Sequence, residues 1–376
     1  MSRNLFPTTL VATLLASAAW SDVPRVATDI APVHSLVSRV MAGVGEADLV
    51  IPSGASPHAY SLRPSEAAAL QDADIVFWIG PDLTPWLSDA IGTLASDATV
   101  SALMDVDGTI ELPFRENALF EAHSHADHDD HDDHGHEDHG HEKDEHAHAE
   151  DAHDHDHDHD HDHAQDAAKQ EDHSHDDHDH EEHGHDDHGH EDHAHDDHDH
   201  DHAHGDHDPH AWLSIDNASV WLNAIAAKLS AADPDNAGAY FANAAAARED
   251  LDKLRTEIND LLDPVRGRNF IVFHDAYQYF ETSFDFPASG AISISDATDP
   301  SPARISEIQT RVKEEDISCV LSEPQFDPKI VAAVMDGSPA KTGVLDPLGS
   351  DQELGPHLYS GVLRNLALAL ADCLKS

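Results

Sequence analysis

Asp233-Pro234-Asp235-Asn236-Ala237-Gly238-Ala239-Tyr240 opens a run that continues to Leu261-Leu262, with no helix breaker inside it except Gly238 in the first turns. Asp233 stands as N-cap and Pro234 at the first helical position, a strong start signal. Almost thirty residues at 1.5 Å each make a helix of roughly 40–45 Å. That is long for one globular layer and suits a rigid strut between two lobes.

The chain before this strut alternates strand and helix. Strands are expected at Val26–Ile30, Ala47–Ile51, Ile75–Ile79 and Thr99–Leu103. Helices start at prolines: Pro32 to Met41, Pro64 to Leu70 and Pro85 to Leu94. Ile75-Val76-Phe77-Trp78-Ile79 is continuously apolar, as in a strand covered on both faces. A further helix, Asn217 to Leu229, precedes the strut. Beyond the strut the alternation repeats, with strands at Asn269–Phe273, Ala291–Ile294, Cys319–Leu321 and Lys341–Leu345. Helices there are expected at Ala276–Thr282, Pro302–Glu315, Pro328–Met335 and Leu358–Cys373. Alternation of this kind builds parallel sheets with helices on both sides. The fold class is α/β: two lobes, each a parallel-rich sheet flanked by helices, bridged by one long rigid helix. The boundaries read as a signal peptide (1–21), a first lobe (22–232), a linking helix (233–263) and a second lobe (264–376).

Interrupting the first lobe is a loop, 121–207, built almost wholly from histidine and acidic residues, as in His153-Asp154-His155-Asp156-His157. His123 to His207 holds 31 of the 36 histidines, and the segment from Glu121 to Asp208 carries a formal charge of −34 of the chain's −55. It has no apolar periodicity with which to build a core and is expected to be solvated and disordered. Imidazole and carboxylate both ligate transition metals, so the tract points to metal handling, as an accessory metal-collecting segment or as the whole function. The acidic balance argues against nucleic acid or anionic membranes as partners and suits cations.

Arg3, the apolar run Leu10 to Ala16 and the small residues Ala16 to Ala19 read as an export signal cleaved near residues 18–22. The apolar run is far short of the ~20 residues that span a bilayer, and no membrane anchor is expected. Cys319 and Cys373 are the two cysteines. In an exported chain a lone pair favours a structural disulfide over two buried thiols, a choice that geometry decides.

Outside the tract five histidines remain. His58 lies in the loop after the second strand, His274 directly follows Phe270-Ile271-Val272-Phe273, and His210 sits in an Asp-Pro-His turn where structure resumes. Ligands of parallel sheets bind at the carboxyl ends of the strands, so two facing sheets would bring these three to one cleft. Asp346, directly after the last strand, is a fourth candidate by the same rule. Three imidazoles with a carboxylate or water make a tetrahedral zinc environment. Asp208 and Asp275 are placed to accept a second ring N–H from His210 and His274. His34 and His357, at helix starts, take structural roles.

The segments around these histidines resemble a known family. Gly54-Ala55-Ser56-Pro57-His58-Ala59-Tyr60, Asp208-Pro209-His210-Ala211-Trp212-Leu213 and Phe273-His274-Asp275-Ala276-Tyr277 look like the three ligand motifs of ZnuA-type zinc-binding proteins of bacterial ABC transporters. Glu323-Pro324-Gln325-Phe326 and Leu345-Asp346-Pro347-Leu348-Gly349 match later segments, and the tract falls where that family carries a charged loop. The resemblance implies a cluster A-I solute-binding fold, His58, His210 and His274 as zinc ligands, and a Cys319–Cys373 disulfide. Some members place an acidic residue before the first histidine, and Pro57 stands there instead. The fourth ligand therefore lies between Asp346, which is favoured, a water and a tract histidine.

The expected function is periplasmic capture of Zn2+ between two lobes and delivery to an inner-membrane ABC zinc permease by a monomeric protein that is not an enzyme. Two other classes stay open: a periplasmic metal buffer or resistance protein acting through the tract, and a three-histidine zinc hydrolase. Against the hydrolase, no base is identifiable beside the site and no HExxH motif occurs.

Overall fold

A computed structural model of the protein describes residues 23–115, 207–293 and 300–375. The expected signal peptide and the histidine tract, His207 excepted, lie outside the described residues. The first sheet comprises β1 (Val26–Thr28), β2 (Ala47–Leu49), β3 (Ile75–Trp78) and β4 (Thr99–Ala102), in the order β2-β1-β3-β4 and all parallel. The second sheet repeats this arrangement with β5 (Phe270–His274), β6 (Gly290–Ser293), β7 (Cys319–Ser322) and β8 (Lys341–Val344), in the order β6-β5-β7-β8. In each sheet the central pair is fully buried, β1 beside β3 and β5 beside β7, with only Ser322 half-buried. This accounts for the unbroken apolar runs Ile75–Trp78 and Phe270–Phe273.

Prolines start the helices where the sequence places them. α1 (Ala31–Val40), α2 (Pro64–Asp72) and α3 (Pro85–Leu94) each carry one in the first turn. Ahead of the strut, α4 (Ile215–Ala232) begins two residues earlier than its apolar pattern suggests, because Ser214 caps it by accepting from the Asn217 N–H at 3.1 Å. The strut α5 (Ala237–Leu262) begins three residues later than expected, behind a short 3-10 turn at Pro234–Asn236. Asp233 caps no backbone N–H with its side chain there, and accepts instead from the Tyr240 hydroxyl (2.9 Å) and the Asn236 amide (2.7 Å). At the far end Asp263-Pro264 stops the helix, since proline has no N–H to continue it.

The second lobe adds α6 (Gln278–Phe284), α7 (Pro302–Glu314), α8 (Pro328–Val334) and α9 (Leu358–Leu374). One apolar core runs from β1 and β3 through α4, α5 and α9 to β5, and a smaller one fills the other face of the second sheet. The strut is embedded in the larger core through Tyr240, Leu251, Leu254, Ile258 and Leu262. Ion pairs add tethers from Arg39 to Asp250, Arg255 to Asp216 and Arg364 to Glu257. A strut packed on this scale resists wide hinge opening between the lobes. Cys319 and Cys373 form a disulfide, with Cα atoms 5.9 Å apart, that ties β7 to the end of α9.

Candidate metal centre

Each of the three histidines is delivered by a different device. β5 extends one residue beyond the sequence reading, so His274 is its last residue and projects from the carboxyl end of the second sheet. His210 precedes the short turn Ala211–Leu213 that feeds α4, and its N–H is taken by Asp208 Oδ1 at 3.0 Å. The tyrosine hydroxyl of Tyr279, from α6, donates to the Asp208 carbonyl and accepts from the Leu112 N–H, each at 2.9 Å. His58 comes from the long loop after β2. Trp86 of α3 fixes that loop by donating its indole N–H to the Pro57 carbonyl at 2.8 Å.

The rings converge. Nε2 of His210 lies 3.3 Å from Nε2 of His58 and 3.4 Å from Nε2 of His274, and the three residues offer ligand atoms all within 4.8 Å of one another. Four ligands about a tetrahedral zinc at 2.0–2.1 Å would stand about 3.3–3.4 Å apart. The tautomers agree with that spacing. His210 Nδ1 faces Asp208 Oδ1 at 2.7 Å, and His274 Nδ1 faces Glu323 Oε1 at 2.5 Å. Where Asp208 and Glu323 are ionised they can only accept, so that each Nδ1 then carries the proton and each Nε2 presents a lone pair to the common point. Bare nitrogens at this distance repel unless a cation sits among them. The group fits a metal ion.

Pro57, Trp212, Gln325, Pro347 and Leu348 complete the walls of a cavity of about 10 Å³, room for an ion-sized guest and far too little for an organic solute. His210 and His274 are buried, while His58 is half-buried and marks the way out.

Asp208 partners His210 as its position suggested. Asp275 does not partner His274. Neighbouring residues at a strand end point to opposite sides, and the Asp275 carboxylate is turned to the Arg115 guanidinium, which also binds Glu281 at 2.9 and 3.0 Å. Burial pushes the Asp275 carboxyl up to about 6 against the lowering pull of Arg115. Burial also pushes Asp208 up to about 7, opposed first by the His210 N–H and then by Arg115. Burial would lower the Arg115 guanidinium, but Glu281 and Asp275 outweigh it and hold the charge firmly. The residue that serves His274 is Glu323, which directly follows β7. The strand-end rule that selected Asp346 would have selected Glu323 as well.

Asp346 is not among the converging residues. Its carboxylate accepts from the N–H groups of Leu348 (3.0 Å), Gly349 (2.9 Å) and Ser350 (2.6 Å) and from the Ser350 hydroxyl (2.7 Å). His34 has the structural role expected of it, with Nε2 3.0 Å from the Ala47 carbonyl. His357 precedes α9 and does not line the cavity, and it does not cap that helix through its side chain.

A family model described as "Zinc-uptake complex component A periplasmic" matches residues 26–373. A Brucella abortus protein named "High-affinity zinc uptake system protein ZnuA" is 41% identical over 376 residues, covering 99% of each chain. A Paracoccus denitrificans protein of the same name is 41% identical over 357 residues, covering 95% of this chain and 93% of its own. Among solved structures, one titled "Crystal structure of ZnuA" superposes with a TM-score of 0.63 at 20% identity, covering 94% of this chain and all of that one, which speaks for the fold.

Proposed function

The chain belongs to the ZnuA family of periplasmic zinc-uptake components, and from that premise we propose that it captures Zn2+ with His58, His210 and His274 and delivers it to an inner-membrane ABC permease. The observation that carries this reading is that Nε2 of His210 stands at the edge length of a zinc tetrahedron from Nε2 of both His58 and His274, with the His210 and His274 rings oriented by buried carboxylates. Borderline-soft zinc suits imidazole donors. Zinc is the cargo here, and the reading assigns no catalytic residue.

In this proposal the two lobes, 22–232 and 264–376, hold the ion between them, with 233–263 as the strut. Export through the segment around Arg3 and Leu10–Ala16 would place the disulfide in an oxidising compartment, where such bonds persist. The tract from His123 to His207 would hold further ions weakly and raise the local supply. No helix among the described residues is long and apolar enough to cross a membrane.

Zinc titration against a competing chelator tests the reading in two variants. Deleting 123–207 should leave one tight site and lower the total capacity. Replacing His58, His210 and His274 together with alanine should abolish the tight site and leave the weak ones. Loss of all binding on deletion of the tract would transfer the function to the tract and make the protein a buffer.

A further inference from the structure

We infer that Asp346 organises an interlobe clasp that positions His58 and His210 against His274, and that this clasp governs how fast zinc leaves. The inference rests on the three-histidine reading above and gives Asp346 a role other than that of a fourth ligand.

A carboxylate has about four lone-pair directions. Those of Asp346 meet four donors, all from its own loop: three backbone N–H groups and the Ser350 hydroxyl. A bond to metal would have to compete with the donors that already occupy these directions. The carboxylate is the hub of a turn, and the turn is what reaches the site.

Three contacts carry it there. Pro347 and Leu348 form part of the wall around the three imidazoles. The Pro347 carbonyl accepts the indole N–H of Trp212 at 2.9 Å, a bond joining residues 135 apart in sequence across the two lobes. Trp212 is 1% exposed, its ring centroid lies 5.2 Å from that of His210, and its own carbonyl is held by the Tyr359 hydroxyl at 2.8 Å. On the other side, Ser350 abuts the His58 loop: a Cβ added at Gly54 would lie 3.6 Å from the Ser350 Cβ. One second-lobe loop therefore touches both first-lobe segments that carry ligands.

The turn is also built for one shape. Gly349 has φ +69°, and a Cβ there would approach Val362 Cγ2 to 2.7 Å, so only glycine fits. Without Asp346 the loop loses four hydrogen bonds together. The Pro347 carbonyl can then leave Trp212, whose buried N–H loses its acceptor, and the turn bearing His210 keeps its bonds from the Tyr279 and Tyr359 hydroxyls but loses the one to the loop that walls the site. With the strut sunk in a shared core, such a loop is the part of the cleft whose movement requires no displacement of either sheet.

The test compares zinc-loaded wild type with Asp346→Ala, Asp346→Asn, Trp212→Phe and the double variant Trp212→Phe/Asp346→Ala. Stopped-flow mixing with excess chelator gives the dissociation rate, and the visible spectrum of the cobalt(II)-loaded protein reports the ligands. We expect dissociation to quicken roughly tenfold for Trp212→Phe, the scale of one buried hydrogen bond. Asp346→Ala should be at least as fast, and the double variant no faster than Asp346→Ala, because one clasp can be opened only once. The cobalt(II) bands should stay in place throughout. A changed ligand field in Asp346→Asn would make Asp346 a ligand and overturn the inference, as would multiplying rate effects in the double variant. If Asp346→Ala does not fold, Asp346→Asn and Trp212→Phe still decide. A wild-type spectrum without tetrahedral imidazole character sinks both the site and the clasp. A normal wild-type spectrum with unmoved rates sinks the clasp alone.

Discussion

The two sheets share one strand order, and the same notch in each has been put to opposite uses. Register pairs Val26 with Ile75 in the first sheet and Phe270 with Cys319 in the second. On that frame Ile30 of the first lobe stands where His274 stands in the second, and Ile79 stands where Glu323 does. In the second lobe the notch between the central strands faces outward with an imidazole backed by a carboxylate. In the first lobe it is sealed. Asp29 turns inward and accepts the N–H groups of Ile30 and Ile79, each at 2.7 Å. The first lobe then brings its two imidazoles to the cavity from loops, His58 and His210, and loops need holding. Trp86, Asp208 and the Asp346 turn do the holding.

The largest expected effect breaks the symmetry of the lobes directly. Only the second sheet carries a covalent staple, and it closes a separation of 54 residues. Replacing Cys319 and Cys373 with serine should cost about 4 kcal/mol by the loop-entropy relation. Because one core runs through both lobes, urea denaturation should still show a single transition at lower denaturant. Two separated transitions, with the first lobe unmoved, would mean that the lobes are energetically independent.

The next effect sharpens the comparison at the notch. Glu323→Gln keeps a hydrogen-bond acceptor for His274 Nδ1 and removes the charge that holds the tautomer. Zinc affinity should fall about tenfold, at the lower end of the range for such supporting carboxylates, and Asp208→Asn should fall similarly. Competition with a fluorescent chelator measures both. An unchanged affinity for Glu323→Gln would mean that the notch does not need its carboxylate.

What the sequence could disclose follows the same division. Strands such as Ile75–Trp78 and helices opened by Pro64, Pro85 or Pro302 are local signals, and their positions held to within a residue or two. The strut's length was legible for the same reason, while its start was not. Asp233 before proline reads as a cap, and only the folded chain brings the Tyr240 hydroxyl to it. That His58, His210 and His274 converge was legible from the rule that parallel sheets gather residues at their carboxyl ends, although only His274 is itself a strand-end residue. Arg115 was not, since nothing local joins it to Asp275, 160 residues away. Asp346 was legible as a carboxylate at a strand end, and its four hydrogen bonds within its own turn were not. An aspartate after a strand can ligate a metal or cap its own turn, and the sequence is the same for either.

Judged by zinc binding, the smallest expected effect isolates the sealed notch. Asp29 is fully buried, and its carboxyl is pushed up to about 7 by that burial, against the lowering pull of the Ile79 and Ile30 N–H groups. The folded chain therefore keeps a proton that the unfolded chain releases near the ordinary aspartate range of ~3.9. Stability rises where the unfolded state binds more protons; here the folded state does, so this group's contribution falls as pH rises from about 4 through about 7. Asparagine does not titrate. It can offer its oxygen to one of the two N–H groups but turns an amide donor toward the other, at a cost on the order of 1–3 kcal/mol. Asp29→Asn should thus be less stable than wild type at pH 5, and the gap should narrow by pH 8 as the wild type is forced to bury a charge. Thermal unfolding of the zinc-free proteins at four pH values measures it, and a gap that widens with pH would contradict it. Zinc affinity should not move, because this notch faces the core and its counterpart faces the three-histidine cavity.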